Sequence, residues 1–397
     1  MTFASILEWL IKGLVWVLIL LGGFAYLTYY ERRALARIQN RIGPNRAGPL
    51  GLLQPIADAI KLIFKEEFMP ARADKLLFIL APIITLTPAL VITAVVPFGN
   101  EPVRLFGREI TWYIADLNVG VLYIMSIASI AVYGIVLAGW SSNNKYAMLG
   151  GLRSSAQMIS YEIALGLSFV GVVLLADSTR LIDIVEAQRQ GWFALLQPVG
   201  MVIFLIATLA EVNRAPFDMP EAEQELAAGY HSEYGGMKFA LLFMAEYDKM
   251  IAICCIATAL FFGGYLVPDI TTIPWLGQIL TSIPLLGPIL IKIQTFLNIP
   301  YFGPIYFFLK VVILLFGMIW VRATLPRIRY DRLMAFGWKI LLPLSLALIF
   351  LTASGILLAQ EVDPLFRWAI PLASLVAGFV AILGMYQTLR RKEHARA

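Results

Sequence analysis

The chain of 397 residues is poor in charged residues, in histidine and in cysteine. Only 14% of its residues are charged, where a soluble domain carries about 25%. This composition excludes a disordered chain, a nucleic-acid-binding protein and an ordinary soluble enzyme. The cysteines, Cys254 and Cys255, are adjacent in an apolar run and are poor candidates for a disulfide or a metal site. The histidines, His231 and His394, lie outside the long apolar segments, which excludes a haem held between two transmembrane histidines.

Apolar residues, in contrast, make up 60% of the sequence and give it a mean hydropathy of +0.79. They fall in blocks of about 20 residues, the length at which an α-helix crosses a bilayer. The pattern predicts an all-α polytopic membrane protein, a single membrane domain over 1–397, whose first block is a span rather than a cleaved signal peptide. The nine predicted spans are 6–29, 76–97, 117–140, 156–176, 194–212, 238–266, 303–324, 337–359 and 366–388.

The distribution of lysine and arginine predicts the orientation of these spans. With the N-terminus outside and the C-terminus in the cytoplasm, the cytoplasmic segments carry 22 of the 31 basic residues. The external segments carry 7, and Lys249 and Lys310 fall within spans. The bias is about threefold, and an even number of spans would remove it. The apolar stretch 268–302 is broken by several prolines, so we expect a re-entrant or interfacial loop there.

Two short segments outside the spans are predicted to form surface helices. Residues 50–66 place apolar side chains at helical spacing between Asp58, Lys61 and Lys65, which is typical of an amphipathic helix lying along the membrane. Residues 218–228 begin with capping-box spacing and a proline in the first turn, which is typical of a helix start. Both segments are expected on the cytoplasmic side.

Carboxyl groups within or beside the spans are the strongest functional signal, because an unpaired charge in the bilayer is costly. They belong to Glu162, Glu211, Glu246 and Asp248, with Lys249 beside the last, and to Glu221, Glu223 and Glu225 between the fifth and sixth spans. So many carboxyls near one side of a bundle indicate a hydrated proton path. Two alternatives stay open at this point. Glu246, Asp248 and Lys249 could form a structural ion pair, and the acids after Glu211 could be a solvated helix start.

The first cytoplasmic loop carries a basic cluster close to the membrane. Its segment ERRALARIQNRIGPNRAGPLG holds five arginines, with glycines and prolines that force turns. One interpretation is a positive-inside signal in contact with lipid headgroups. The other is a docking platform for a soluble partner, or the rim of a site for an amphipathic ligand.

Several of these motifs occur together in one family. The chain resembles the H-type membrane subunit of bacterial respiratory NADH:quinone oxidoreductase (complex I), the counterpart of mitochondrial subunit 1. The matching segments, which cover spans one to eight in the order of the family, are ERRALARIQNRIGPNRAGPLGLLQPIADAIKLIFKE (31–66), GWSSNNKYAMLGGLRSSAQMISYE (139–162), AEVNRAPFDMPEAEQELAAGYHSEY (210–234), ALLFMAEY (240–247) and VRATLPRIRYDRLMAFGWK (321–339). The stretch APFDMPEAEQELAAGY is the most specific of them.

The resemblance implies a quinone-chamber and coupling subunit of a proton-pumping enzyme complex in the bacterial plasma (inner) membrane. The chain itself is expected to bind no cofactor, because it lacks a nucleotide loop and a cluster-ligating cysteine set. Quinone is then the substrate, and flavin and iron–sulfur clusters belong to peripheral-arm partner subunits. Small membrane subunits, antiporter-like subunits and lipid are the other implied partners, and nucleic acid is not.

The resemblance also implies site residues at matching positions. No catalytic residue and no metal ligand is assigned to this chain. The quinone-chamber residues are Glu31, Arg32, Asp58, Arg322 and Arg327. The proton-path residues are Glu162, Glu211, Glu221, Glu223, Glu225 and Glu246.

Three features depart from the family pattern. Some relatives carry an acid in the third span, where this sequence has Ser129. The loop 268–302 is longer and more apolar than usual. A ninth span, 366–388, follows the family core of eight spans in 1–359.

Other functions compete with the complex I interpretation. The equivalent subunit of a membrane-bound hydrogenase or of a ferredoxin- or F420-linked complex is the nearest alternative, because the electron donor is bound by other subunits. A stand-alone transporter predicts inverted repeats, which the sequence lacks. A purely structural anchor would gain stability from an apolar residue in place of Glu162.

Overall fold

A computed structural model describes residues 3–99, 102–105, 108–218, 228–267, 302–362 and 369–394. Helices dominate these ranges. The α-helices are α1 (Phe3–Ile38), α2 (Gln54–Phe64), α3 (Lys75–Val91), α4 (Gly120–Ser141), α5 (Lys145–Ala176), α6 (Leu181–Glu186), α7 (Phe193–Leu196), α8 (Pro198–Glu211), α9 (Gly236–Phe261), α10 (Gly303–Thr324), α11 (Tyr330–Phe336), α12 (Leu342–Glu361) and α13 (Ala369–His394). A π-helical turn at Gly337–Leu341 joins α11 to α12. Two short antiparallel strands, β1 (Val103–Leu105) and β2 (Arg108–Ile110), form a hairpin between α3 and α4.

Six helices in the described residues are long and apolar enough to cross a membrane. They are Glu8–Ile38, Lys75–Val95, Gly120–Ser141, Lys145–Ala176, Gly303–Thr324 and Tyr330–Glu361. Two shorter apolar helices are Pro198–Glu211 and Ala369–Gly384. The multi-pass helical fold is therefore confirmed.

Each of the nine predicted spans coincides with one of the described helices. Three of these helices, α8, α9 and α13, are not among the six candidate spans, because they are too short in their apolar part or too rich in charge. At 1.5 Å per residue, α8 is about 21 Å long, less than the roughly 30 Å of bilayer hydrocarbon. The sequence of α9 contains four charged residues, including Glu246, Asp248 and Lys249. Nine crossings and the orientation of the termini stay predictions.

A bundle of α3, α4, α5, α8 and α9 forms the centre of the fold. Its core is built from large buried aromatic side chains such as Tyr161, Phe204 and Phe261, together with many alanines. Small residues let the helices approach closely, as in other membrane bundles. Gly139 of α4, for example, faces Gly151 and the Ala147 carbonyl of α5, where a Cβ would lie 2.7 Å from that oxygen.

Polar side chains fix the starts of two bundle helices. The Asp74 carboxylate accepts the backbone N–H groups of Leu76 and Leu77 at 3.1 and 3.3 Å, and so caps α3. The Asn144 side chain accepts the N–H of Tyr146 at 2.9 Å and caps α5. These caps satisfy donors that would otherwise have no intrahelical partner.

A lysine holds the chain that follows the C-terminal end of α9. Lys310 of α10 donates from Nζ to the carbonyl groups of Phe262, Gly264 and Leu266, at 2.6–2.8 Å. Its ammonium also lies 5.2 Å from the centre of the Trp192 ring. A cation here interacts favourably with the negative end of the helix dipole. The sequence alone places Lys310 within a span, and the structure supplies the reason it is tolerated.

The first predicted surface helix is observed as α2. Its apolar side chains Ile56, Ile60, Ile63 and Phe64 are all exposed, while Asp58 on the same helix is half-buried. Such an exposed apolar face is what an amphipathic surface helix presents to lipid or to a partner. The second predicted surface helix, 218–228, and nearly all of the loop 268–302 lie outside the described residues.

Candidate functional site: a line of buried charged side chains

Glu31, near the C-terminal end of α1, is the centre of the first charged cluster. Its side chain is only 3% exposed, and its Oε1 atom accepts a hydrogen bond from Arg322 of α10. The same oxygen lies 3.4 Å from Nη1 of Arg214, which follows α8. The second oxygen, Oε2, is buried without a hydrogen bond to any described residue. Glu31 therefore joins three segments that are far apart in the sequence.

Arg32 and Asp58 form a separate, more exposed pair. Arg32 Nη1 donates to Asp58 Oδ2 at 2.7 Å, and Lys61 lies 3.3 Å from the other carboxylate oxygen. Partial burial raises the pKa of Asp58, but Arg32 and Lys61 outweigh it and hold that pKa below its usual value. Asp58 is thus ionised at neutral pH, and α2 is tied to the end of α1. The predicted chamber residues Glu31 and Arg32 are neighbours with different partners.

Arg327, the last of the predicted chamber residues, lies on the exposed segment between α10 and α11. Its Nη2 atom donates to Oδ2 of the buried Asp218 at 3.1 Å. The sequence predicts only that a helix begins at Asp218, so the contact between Asp218 and Arg327 is a finding of the tertiary structure. The ion pair connects the segment after α10 to the segment after α8.

Glu246 of α9 is the centre of the second cluster. Its Oε1 atom accepts a hydrogen bond from the Tyr230 hydroxyl at 3.0 Å and lies 3.1 Å from Nε2 of His231. Glu246 and His231 are each 8% exposed, and Nδ1 of His231 is buried without a partner among the described residues. Sequence reasoning missed this histidine, because His231 lies outside every predicted span.

A third cluster lies deeper in the bundle, where α4, α5, α8 and α9 meet. Lys249 Nζ lies 3.5 Å from Glu211 Oε1, and both side chains are largely buried. The Ser129 hydroxyl of α4 donates to the carboxylate of Glu162 on α5. Glu162, Glu211 and Lys249 line a common cavity whose other walls are mostly aliphatic and aromatic. The cavity has room for about one water molecule.

The sequence left open a structural ion pair among Glu246, Asp248 and Lys249 of α9. The structure shows a different arrangement. Lys249 pairs with Glu211 of α8, and Glu246 pairs with His231. Asp248 is fully buried, and neither of its oxygens makes a hydrogen bond within the described residues. Glu221, Glu223 and Glu225 lie outside those residues. The described part of the chain contains no group of three or more His, Cys, Asp or Glu residues arranged to hold a metal.

A buried glutamine holds together the segment that carries Glu211 and Arg214. Gln157 Nε2 donates to the carbonyl groups of Ala210 and Phe217 at 2.8 and 2.9 Å, and to the Asn213 side chain at 3.2 Å. The amide nitrogen of Gln157 thus holds this segment at three points, while its amide oxygen makes no hydrogen bond within the described residues. Sequence reasoning did not select Gln157, although a glutamine within an apolar helix is itself a signal.

These features define a class of protein: a multi-pass helical membrane protein whose interior carries charged side chains from one end of the bundle towards its middle. A family model described as NADH dehydrogenase matches residues 11–353. The chain therefore belongs to the NADH dehydrogenase family.

Curated relatives agree with this assignment over most of their lengths. The chain is 48% identical over 329 residues to the H-type subunit of NADH-quinone oxidoreductase from Protochlamydia amoebophila, covering 83% of this chain and 91% of that protein. It is 51% identical over 328 residues to the second H-type subunit of Geobacter sulfurreducens, with coverage of 83% and 90%. It is 48% identical over 350 residues to the H-type subunit of Rhodospirillum rubrum, with coverage of 88% and 93%. The resemblance to the H-type membrane subunit of complex I is confirmed, and with it membership of an oxidoreductase complex with partner subunits.

Proposed function

We propose that this chain walls part of a quinone chamber in NADH:quinone oxidoreductase and couples quinone reduction to proton translocation through its buried carboxylates. The observation that carries the proposal is the series of three buried clusters around Glu31, Glu246 and Glu211. Charged groups inside a membrane bundle are costly and typically mark a functional path. A membrane anchor or scaffold would be more stable with apolar side chains in place of these charged groups.

The chamber end of this path is formed by Glu31, Arg32, Asp58, Arg322 and Arg327. These residues lie at the ends of α1 and α10, on the segment between α10 and α11, and on the surface helix α2. The exposed apolar face of α2 suits the entry of a lipid-soluble quinone. Quinone reduction consumes protons and changes the local charge. Fixed arginines and carboxylates near the chamber respond to that change electrostatically.

The proton path continues into the membrane through Glu246, Glu211 and Glu162, with Glu221, Glu223 and Glu225 as further members. Ser129 stands where some relatives carry an acid, and its hydroxyl hydrogen-bonds to Glu162. A hydroxyl of this kind accepts and donates hydrogen bonds, and the adjoining cavity has space for water. The path therefore continues at Ser129 without a carboxylate there.

The complex is proposed to lie in a bacterial plasma membrane, with flavin and iron–sulfur clusters in peripheral-arm subunits and antiporter-like subunits beside this chain. The proposed topology has nine spans, an external N-terminus and a cytoplasmic C-terminus, which puts 22 of 31 basic residues on the cytoplasmic side. A reporter protein fused after residue 397 is expected to be active only in the cytoplasm. If the fused reporter is active on the external side instead, the proposed side of the membrane is wrong for every loop.

Glu211→Gln tests the proton path directly. Glutamine keeps the shape of the side chain but cannot exchange a proton, so coupled NADH:quinone reduction is expected to fall about tenfold, a barrier increase of about 1.4 kcal/mol. Electron transfer from NADH to an artificial acceptor depends only on the peripheral arm and should be unchanged. Both rates are measured on membranes containing the assembled complex.

The matched control is Glu361→Gln, which makes the same change at an exposed position on the last residue of α12. The control variant should keep both rates. Normal coupled turnover in Glu211→Gln, or an equal loss in the control, would remove Glu211 from the path.

A further inference from the structure

His231 lies outside every predicted span, yet the fold carries it to an acid inside the bundle. It ends the short turn Gly229–His231, which packs against α4 and α5. Its partner Glu246 stands ten residues after Gly236, the first residue of α9, or about 15 Å along that helix. The turn therefore brings a side chain from the segment between α8 and α9 to a carboxylate in the interior of the fold.

The imidazole of His231 is held by aromatic neighbours and faces Glu246. Its ring centre lies 4.0 Å from that of Tyr230 and 5.7 Å from that of Phe239, which meets it edge-on. Nε2 of the ring is 3.1 Å from Oε1 of Glu246, and the Tyr230 hydroxyl donates to the same oxygen at 3.0 Å. The histidine and the acid are therefore within the distance of a direct proton transfer.

The second ring nitrogen of His231 has no such partner. Nδ1 is buried and makes no hydrogen bond to any described residue. A histidine with a purely structural role gains stability when both of its nitrogens are bonded, because an orphan buried group is unfavourable. Histidine is also the side chain that most readily gains and loses a proton near neutral pH. One nitrogen at a carboxylate and one open nitrogen are the arrangement that a proton relay requires.

We propose that His231 is a proton-relay residue that loads Glu246. A proton carried by water binds at Nδ1. The Nε2–H bond then breaks as its proton passes to Oε1 of Glu246, so the carboxylate becomes a neutral acid and the ring keeps one proton, on Nδ1. After Glu246 has passed its proton on, water takes the proton from Nδ1 and supplies one at Nε2, which restores the first tautomer. The inference rests on the proposed function, because it names the group that supplies protons to Glu246.

His231→Gln tests the relay in the assembled complex. The glutamine amide reaches as far as Nε2 and can still donate to Glu246, but it does not exchange a proton. Coupled NADH:quinone reduction, measured in inverted membrane vesicles and normalised to NADH oxidation by an artificial acceptor, should fall about tenfold or more. The solvent deuterium isotope effect on the remaining rate should rise, because the loading of Glu246 becomes the slow step. A purely structural loss would lower the rate and leave the isotope effect unchanged.

A double variant shows whether His231 acts through Glu246. If the histidine only loads that acid, His231→Gln combined with Glu246→Gln should match Glu246→Gln alone to within about twofold. The matched control is His394→Gln, the same change at the other histidine of the chain, which is the last residue of α13. This control should keep both the coupled rate and the isotope effect of the parent.

The outcomes separate the relay from the proposed function. A normal coupled rate in His231→Gln, beside a reduced rate in Glu246→Gln, overturns the relay and leaves the proposed function standing. A double variant that loses the product of the two single effects also overturns the relay, because the two residues then act independently. A normal rate in Glu246→Gln instead overturns the proposed function, and the relay with it.

His231→Ala provides a second test, in case His231→Gln does not assemble. Alanine leaves a space of about the size of the lost ring, in which added imidazole can bind. Imidazole should restore coupled turnover, whereas N-methylimidazole should not, because its methylated nitrogen can neither take up nor release a proton. Equal recovery with the two compounds, or no recovery with imidazole, overturns the relay.

Discussion

Lys249→Met is expected to destabilise the subunit by about 3–5 kcal/mol, because it leaves the buried Glu211 without its counter-charge. Lys249 Nζ is 3.5 Å from Glu211 Oε1, and Glu162 lines the same cavity, so the two carboxylates would face each other without a cation. The thermal midpoint of the detergent-solubilised complex, followed by loss of quinone reductase activity, measures the effect.

The double variant Lys249→Met, Glu211→Gln separates a charge effect from lost packing. Removing the carboxylate charge as well should restore most of the stability, because the neutral amide no longer requires a cation. Lys339→Met is the control, since Lys339 is exposed and its replacement should change little. A double variant as unstable as the single one would show that Lys249 acts through packing instead.

Gly150→Ala is the second change with a large expected effect. A Cβ on Gly150 of α5 would lie 2.5 Å from the Cα atom of Gly229 and 3.1 Å from the backbone nitrogen of Tyr230. Backbone cannot yield as a flexible side chain does, so α5 and the turn Gly229–His231 must separate, at a cost of about 1–3 kcal/mol or more. Tyr230 and His231 then move away from Glu246, and coupled quinone reduction should fall together with stability.

A glycine in open space provides the comparison for this variant. Gly317 of α10 has no atom within 4 Å of a Cβ, and alanine there should be neutral or stabilise by about 0.5–1 kcal/mol. Both variants are compared by the thermal midpoint and by the rate of coupled turnover. If Gly150→Ala behaves as Gly317→Ala does, the close approach of α5 to the turn is not needed to hold the Glu246 cluster.

The sequence predicts the helices well because membrane helices satisfy their own backbone hydrogen bonds. Each apolar block is therefore a nearly local signal, and every predicted span coincides with a described helix. The ends of the helices were less predictable. The helix α5 begins at Lys145 rather than at 156, and α1 continues to Ile38 rather than ending at 29. Those extensions leave the apolar block and depend on contacts such as the Asn144 cap.

The sequence also selected the acids but not their partners. Glu211, Glu246 and Asp248 were chosen because charge is rare in apolar blocks, and all three are buried. Asp248 and Lys249 look like a pair in the sequence, yet successive residues of a helix point about 100° apart. Lys249 therefore reaches Glu211 on another helix, and the Asp248 carboxylate makes no hydrogen bond within the described residues.

Composition, apolar periodicity and a few long motifs thus determined the class, the family and the set of candidate acids, since each is a property of residues close together along the chain. The tertiary structure alone decided that Glu31 meets Arg322 across 291 residues, that His231 contacts Glu246, and that Arg214 lies over the ring of Tyr247. Ion pairs form wherever packing brings opposite charges together. Their partners follow from how the helices are arranged, because spacing along the chain says nothing about which helix faces which.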